Sequence, residues 1–205
     1  TTAARGETWA YLPLSLLVAV TDHDRPGEIL EGEDLTASLP RRLGLSGVIE
    51  REIKNYEQAA RRGRGVPAAD VANLIRLVLR RPDAEAILRD TGSRVAQEFV
   101  RRKSLARRLA PSLPARAALS LARRAARRLL RRIVVDGDVE VTGKPAVVRV
   151  RSELARTDTT STTCVLYAAA LEEIVGSYVR ERPRVEQRRC ASHGAPCCEW
   201  IIAEA

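Results

Sequence analysis

All four cysteines of this 205-residue chain lie in its closing stretch, at Cys164, Cys190, Cys197 and Cys198, and none precedes them. The elements around them are short and readable. A helical run from about Thr163 to Tyr178 carries Cys164 in its first turn. A strand over Arg184 to Arg189 leads to Cys190, a Ser192-His193-Gly194 turn follows, and Cys197-Cys198 open a last apolar strand around Trp200 to Ile202. Cys190 and Cys198 therefore fall at the end of one strand and the start of its neighbour. A helix start packed beside them adds Cys164. Three thiolates from three elements can meet on one tetrahedral Zn²⁺, which selects soft ligands and does not need them adjacent in sequence.

The run Cys164, Gln187-Arg188-Arg189-Cys190, Gly194, Cys198 followed by a strand resembles the closing signature of the 4-vinyl reductase domain family. In that family a cysteine at a helix start precedes a Glu-x-x-Cys-x3-Gly-x3-Cys ending. The sensor domains of phenol-responsive transcription activators belong to it, and the TRAPP vesicle-tethering subunits are similar in fold. The resemblance implies a zinc held by Cys164, Cys190, Cys198 and the residue at position 187. It covers residues 133–202 by motif and 66–132 by element order only. The departure is Gln187, which stands where the family has glutamate.

A neutral amide is a poorer zinc ligand than a carboxylate, so Glu186, His193 and Cys197 become the substitutes within reach along the chain. Strand alternation turns Glu186 away from the side served by Gln187, and Cys197 away from that of Cys198. Three readings of the thiols stay open: a metal site, buried thiols packing as small hydrophobes, and disulfides. Disulfides rank last. No secretory signal is expected, because the apolar run Leu12 to Val20 is short, interrupted by Pro13 and followed by acids.

The length suits one domain with a full core. Hydrophobic residues make up 45% and charged residues 30%, a soluble globular balance, and no apolar run reaches the roughly 20 residues that span a bilayer. Aromatics at 3% leave few faces for stacking single-stranded nucleic acid. The expected location is the cytoplasm, with peripheral membrane attachment as the variant.

Residues 1–45 read as an N-terminal extension packed on a single domain over 46–205. Trp9 to Val20 suits a strand or a short buried helix, and an acidic turn-rich loop follows from Asp22 to Asp34. His23, between Asp22 and Asp24, reads as a surface histidine rather than a proton shuttle, since no partner cluster is visible. Apolar residues recur at helical spacing from Val48 to Ala60, and Arg61-Arg62-Gly63-Arg64-Gly65 lacks the spacing of a P-loop, so it reads as a solvated helix exit. A helix opened by Pro67 carries Val71, Leu74, Ile75, Val78 and Leu79. Another, Asp83 to about Lys103, points Ala86, Ile87, Val95, Ala96, Phe99 and Val100 inward, with Gly92 placed for close helix packing.

From Arg101 to Arg132 the chain contains no acid. After Pro114 it reads as one amphipathic helix, with Leu119, Ala122, Ala126, Leu129, Leu130 and Ile133 inside. Arg123, Arg124, Arg127, Arg128, Arg131 and Arg132 wrap the outer face. A solvated face, an acidic partner protein, and an anionic membrane or nucleic acid compete for this surface, and the last pair is not favoured without a DNA-binding motif.

Strands are expected at Ile133 to Val135, Val139 to Val141 and Ala146 to Val150, separated by Asp136-Gly137 and Gly143-Lys144-Pro145 turns, with a polar loop from Thr157 to Thr162. Helices, then strands, a helix and two closing strands give an α+β domain with helices packed on one antiparallel sheet. The resemblance implies the same order. No Ser-His-Asp set, carboxylate pair or nucleotide loop can be assembled, so an enzyme is not the expectation. The resemblance favours a sensor or carrier that encloses an apolar small molecule and acts through a partner protein or homodimer. An assembly subunit docking through the arginine helix comes second, and tetrapyrrole vinyl reduction last.

Overall fold

A computed structural model describes residues 6–24, 47–102, 114–143, 145–179 and 184–203. The described chain is an α+β fold. Its first strand, β1 (Glu7–Trp9), pairs antiparallel with β2 (Gly65–Pro67). Helix α1 (Tyr11–His23) settles the ambiguity of the apolar N-terminal segment. Pro13 falls in its first turn, where no intrahelical N–H is needed. Leu12, Leu16 and Ala19 are completely buried, and Pro13, Ser15, Leu17 and Val20 are buried as well. Burial on nearly every side is why α1 shows no amphipathic stripe in sequence. Of the expected acidic loop, only Asp22 to Asp24 is described.

Helices α2 (Gly47–Arg61), α3 (Ala68–Val78) and α4 (Ala84–Arg101) follow. On α4 the inward residues are Ala84, Ile87, Leu88, Val95, Ala96, Phe99 and Val100. Ala86, expected inside, is exposed. The helical period passing through Ile87 and Leu88 turns position 86 outward. The end of α1 is bound to this layer by two arginines. Arg81 reaches Asp24 at 2.5 Å and Asp83 at 2.8 Å, and Arg94 reaches Asp22 at 2.8 Å and Asp90 at 2.9 Å. With their carboxylates in these pairs, Asp22 and Asp24 flank an exposed His23.

Helix α5 (Ala115–Ile133) runs through Ile133, so the expected strand over Ile133 to Val135 does not form. Leu129, Leu130 and Ile133 form one continuous buried helical face, which carries the helix up to the extended residue Val134. Asp136, at φ 49°, makes the bend into β3 (Gly137–Thr142). β4 (Ala146–Ser152) leads into a short helix, α6 (Glu153–Thr157), in a stretch expected to continue from strand into loop. Then come α7 (Thr162–Gly176), β5 (Arg184–Arg189), a 3₁₀ turn over Ala191–His193, and β6 (Cys198–Ala203).

The four-stranded sheet is antiparallel throughout, in the order β3-β4-β6-β5. Val148 faces Trp200 and Val150 faces Cys198 across β4 and β6, and all four are fully buried. Between them Arg149 opposes Glu199, and their side chains meet at 2.7 Å. One face of the pleat is thus core, and the alternate face carries this charged pair.

Helices α4 and α7 meet at Gly92. A Cβ there would fall far inside contact distance of the Leu166 carbonyl oxygen on α7, and 3.1 Å from both Ala169 Cβ and Ala170 N. Only glycine allows α4 and α7 this approach. Leu12 and Leu16 of α1 share one core with Leu129, Leu166, Trp200 and Cys198.

Candidate metal centre

Three elements bring three sulfurs together, and local chemistry fixes each one. Cys164 lies in the first turn of α7. The residue before that helix, Ser161, is left-handed at φ 61° and makes no side-chain cap. The cap comes instead from Asp158, whose carboxylate accepts from Thr163 N at 2.6 Å, Thr160 N at 3.0 Å and Thr160 Oγ1 at 2.6 Å. Burial pushes the Asp158 carboxyl up, but the hydrogen bonds from Thr160 and Thr163 outweigh it and hold it below the usual aspartate range.

Cys190 ends the β5 side of the hairpin. Its carbonyl accepts from His193 N and Ala195 N, which folds the chain into the 3₁₀ turn, and Gly194 at φ 84° closes that turn. Cys198 opens β6, held against Val150.

Cys164 Sγ lies 3.1 Å from Cys198 Sγ and 3.6 Å from Cys190 Sγ, and all three sulfurs fall within 4.8 Å of one another. Tetrahedral zinc with sulfur ligands at about 2.3 Å sets sulfurs about 3.8 Å apart. The three residues fit that metal, soft thiol by soft thiol. All three are buried, and Ala191 N donates to Cys198 Sγ at 3.4 Å. Hydrogen bonding from the Cys164 thiol lowers the pKa of Cys198, while the same contact and burial raise that of Cys164. For Cys190, burial acts upward, but the Ser161 and Ser192 hydroxyls outweigh it and lower its pKa. Two of the three thiols thus lean toward the thiolate that a metal requires.

Beside the sulfurs stands a hydroxyl and imidazole cluster. Cys190 Sγ is 2.8 Å from Ser192 Oγ and 3.4 Å from Ser161 Oγ, the two hydroxyls are 2.6 Å apart, and Ser161 Oγ is 3.1 Å from His193 Nε2.

Gln187 is exposed, and its amide nitrogen donates to Arg189 O at 3.3 Å. A register shift separates Gln187, opposite Trp200, from Arg189, opposite Glu199. Glu186 is exposed and pairs with Arg188 at 2.9 Å. Cys197 is buried but outside the three-sulfur group, and all four cysteines are free thiols.

The arginine helix divides as its sequence suggests. Ala118, Ala122, Ala125, Ala126, Leu129, Leu130 and Ile133 are buried. Arg116, Arg124, Arg127, Arg128 and Arg131 are exposed, and Arg123 and Arg132 are half-buried. Arg132 lies over the Trp9 and Phe99 rings at 5.7 Å from each centroid, so it belongs partly to the fold. Among the described residues, no acid forms an ion pair with an arginine of α5. From Arg116 to Arg131 the exposed row is about 22 Å long at 1.5 Å rise per residue.

Sequence reasoning did not single out Asp158, Ser161 or Ser192. Asp158 had a signal, an acid just before a helix in a threonine-rich run. The left-handed Ser161 had none. No helix among the described residues is long and apolar enough to cross a membrane. Comparison with protein-family models, curated proteins and solved structures gives no match to this chain.

Proposed function

We propose that this chain is a non-enzymatic binding domain of the 4-vinyl reductase/TRAPP-like type, braced by a structural zinc and acting through an acidic partner protein. The observation that carries the reading is the convergence of Cys164, Cys190 and Cys198 within 4.8 Å. Zinc there ties the start of α7 to both strands of the closing hairpin, elements with no disulfide between them. The element order and cysteine spacing support the fold-type assignment, and the four free thiols suit a reducing cytoplasm.

The arginine face supplies the docking surface. Its basic groups lack acid partners among the described residues, and guanidinium forks match carboxylates in two-point contacts. Its apolar side is spent on the core, which leaves nothing to insert into lipid and disfavours a membrane as the primary partner.

One observation favours a second reading, a sensor or carrier for an apolar small molecule. Trp200 Nε1 is buried with no hydrogen-bond partner, and Tyr167 Oη, beside Ser152 and the Val135 backbone, makes no well-formed hydrogen bond, on rings that meet nearly edge-on at 6.3 Å. Two such donors suit a ligand carbonyl or ether oxygen.

The test combines zinc analysis with binding of a labelled polyglutamate peptide, using duplex DNA and anionic vesicles in parallel. Charge reversal at Arg124, Arg127 and Arg131 should weaken peptide binding at least about 10-fold, while reversal at Arg61, Arg62 and Arg64 should not. Equal losses in both triple variants would reduce the surface to net charge alone. A preference for DNA or vesicles would replace the partner class, and a co-purified apolar molecule would favour the sensor.

A further inference from the structure

We propose that the fourth zinc ligand is His193 Nε2, which completes a Cys₃His site in place of the residue at position 187. This inference rests on the zinc reading above and goes beyond it by assigning the missing donor.

Three cysteines leave one vertex of a tetrahedral structural site to fill. The other nearby oxygen donors are engaged elsewhere. Gln187 is exposed and bonded to Arg189 O, and Glu186 is paired with Arg188. Glu199 is held by Arg149 at 2.7 Å, and Asp158 is the cap of α7, accepting three hydrogen bonds. Cys197 and His193 both start outside the group of ligand atoms that lie within 4.8 Å of one another.

His193 differs from these on three counts. It follows Cys190 at a spacing of three, within the Cys-x2–4-ligand spacing that places two donors of one tight turn on one metal. The turn is already folded, by His193 N donating to Cys190 O at 3.1 Å and by left-handed Gly194 directly after it. And Nε2 lies at the edge of the cluster, 3.1 Å from Ser161 Oγ, which is itself 3.4 Å from Cys190 Sγ.

The path from Nε2 to that sulfur therefore cannot exceed the sum of those two distances. A zinc-bound imidazole nitrogen and thiolate sit about 3.5 Å apart. Relative to Cys190 Sγ the imidazole must move inward by at most about 3 Å, displacing the Ser161 hydroxyl. The ring is on an exposed turn. Ser161 supports this in another way: a non-glycine residue held at φ 61° against the cluster is the kind of local strain that marks functional sites.

The test is zinc K-edge absorption on the full chain loaded with one equivalent of Zn²⁺, for the unsubstituted protein, His193→Ala and Ser161→Ala, with a competitive chelator titration of each. Because His193 is exposed, its replacement does not open the core. The expected result is a three-sulfur, one-nitrogen shell with imidazole scattering in the unsubstituted protein and in Ser161→Ala. In His193→Ala the imidazole signal disappears and zinc affinity falls at least about 10-fold, the lower bound for losing even an outer-shell partner. A three-sulfur, one-oxygen shell that is the same with and without His193 overturns the assignment and leaves the zinc reading standing. No zinc in any of the three proteins overturns both.

Discussion

Replacing Gly92 with alanine tests the contact that sets the position of α7, and with it that of Cys164. The new methyl meets backbone, not the end of a flexible side chain: the Leu166 carbonyl oxygen, with Ala169 Cβ and Ala170 N at 3.1 Å. Carbon atoms pack best at about 3.5–4.0 Å, so the helices must separate by on the order of 1 Å. Overpacking of this kind costs typically 1–3 kcal/mol. Acting the other way, alanine is favoured over glycine in a helix interior by about 1 kcal/mol. Because the clash is with backbone on both sides of one turn, the upper part of the overpacking range applies, and the net loss should be about 1–2 kcal/mol. For a chain of this length that lowers the melting temperature by about 2–8 °C, read by circular dichroism at fixed concentration. Adding Ala169→Gly should restore only part of the loss, since the Leu166 carbonyl remains. A Gly92→Ala protein more stable than the parent by about 1 kcal/mol would show helix propensity acting without a clash, and would refute this packing.

Three further outcomes follow from the same geometry. Cys190→Ala should remove a metal ligand and cost about 3 kcal/mol or more, whereas Cys197→Ala, outside the sulfur group, should cost about 1 kcal/mol; equal small effects on the melting temperature would dissolve the cluster as a unit. Tyr167→Phe removes a buried hydroxyl that lies beside Ser152 and the Val135 backbone without a well-formed bond to either, and should be neutral within about 0.5 kcal/mol in urea unfolding, so that a loss above about 1.5 kcal/mol would show that it bonds one of them. Asp158→Ala should cost about 1–3 kcal/mol through the lost cap. The lowered Asp158 pKa also gives that cost a pH dependence. Its contribution is full above the ordinary aspartate value of about 3.9 and fades as pH falls through the lower folded value, so Asp158→Ala should flatten the stability loss below about pH 4. An acid limb unchanged by the substitution would remove Asp158 from that role.

What could be read from the chain was whatever one element decides alone. The helical period through Leu129, Leu130 and Ile133, the alternation of Val148 and Val150 with Arg149, and the turn between Cys190 and Cys198 are local patterns, and each appears in the fold. The misread pieces were set by tertiary packing. Residues 133–135 have strand-like composition, yet the buried face of α5 carries the helix through Ile133. The segment of α1 reads equally as strand or buried helix, because its neighbours cover it on nearly every side and hide its period. At the candidate metal centre the three cysteines were legible through spacing. The capping carboxylate of Asp158 was signalled only by an acid just before a helix, and the left-handed Ser161 and the hydroxyl bridge from Ser161 to His193 depend on loop geometry that no residue pattern encodes.

The most direct test of the zinc-braced domain is metal content joined to stability. The protein would be purified without added metal, its zinc per chain measured by elemental analysis and native mass spectrometry, and its melting temperature recorded before and after a strong chelator. The account predicts one zinc per chain, lost on chelation together with a fall of several degrees in melting temperature, and restored by one equivalent of Zn²⁺. A metal-free chain with four reactive thiols, melting at the same temperature with or without chelator and zinc, would contradict it.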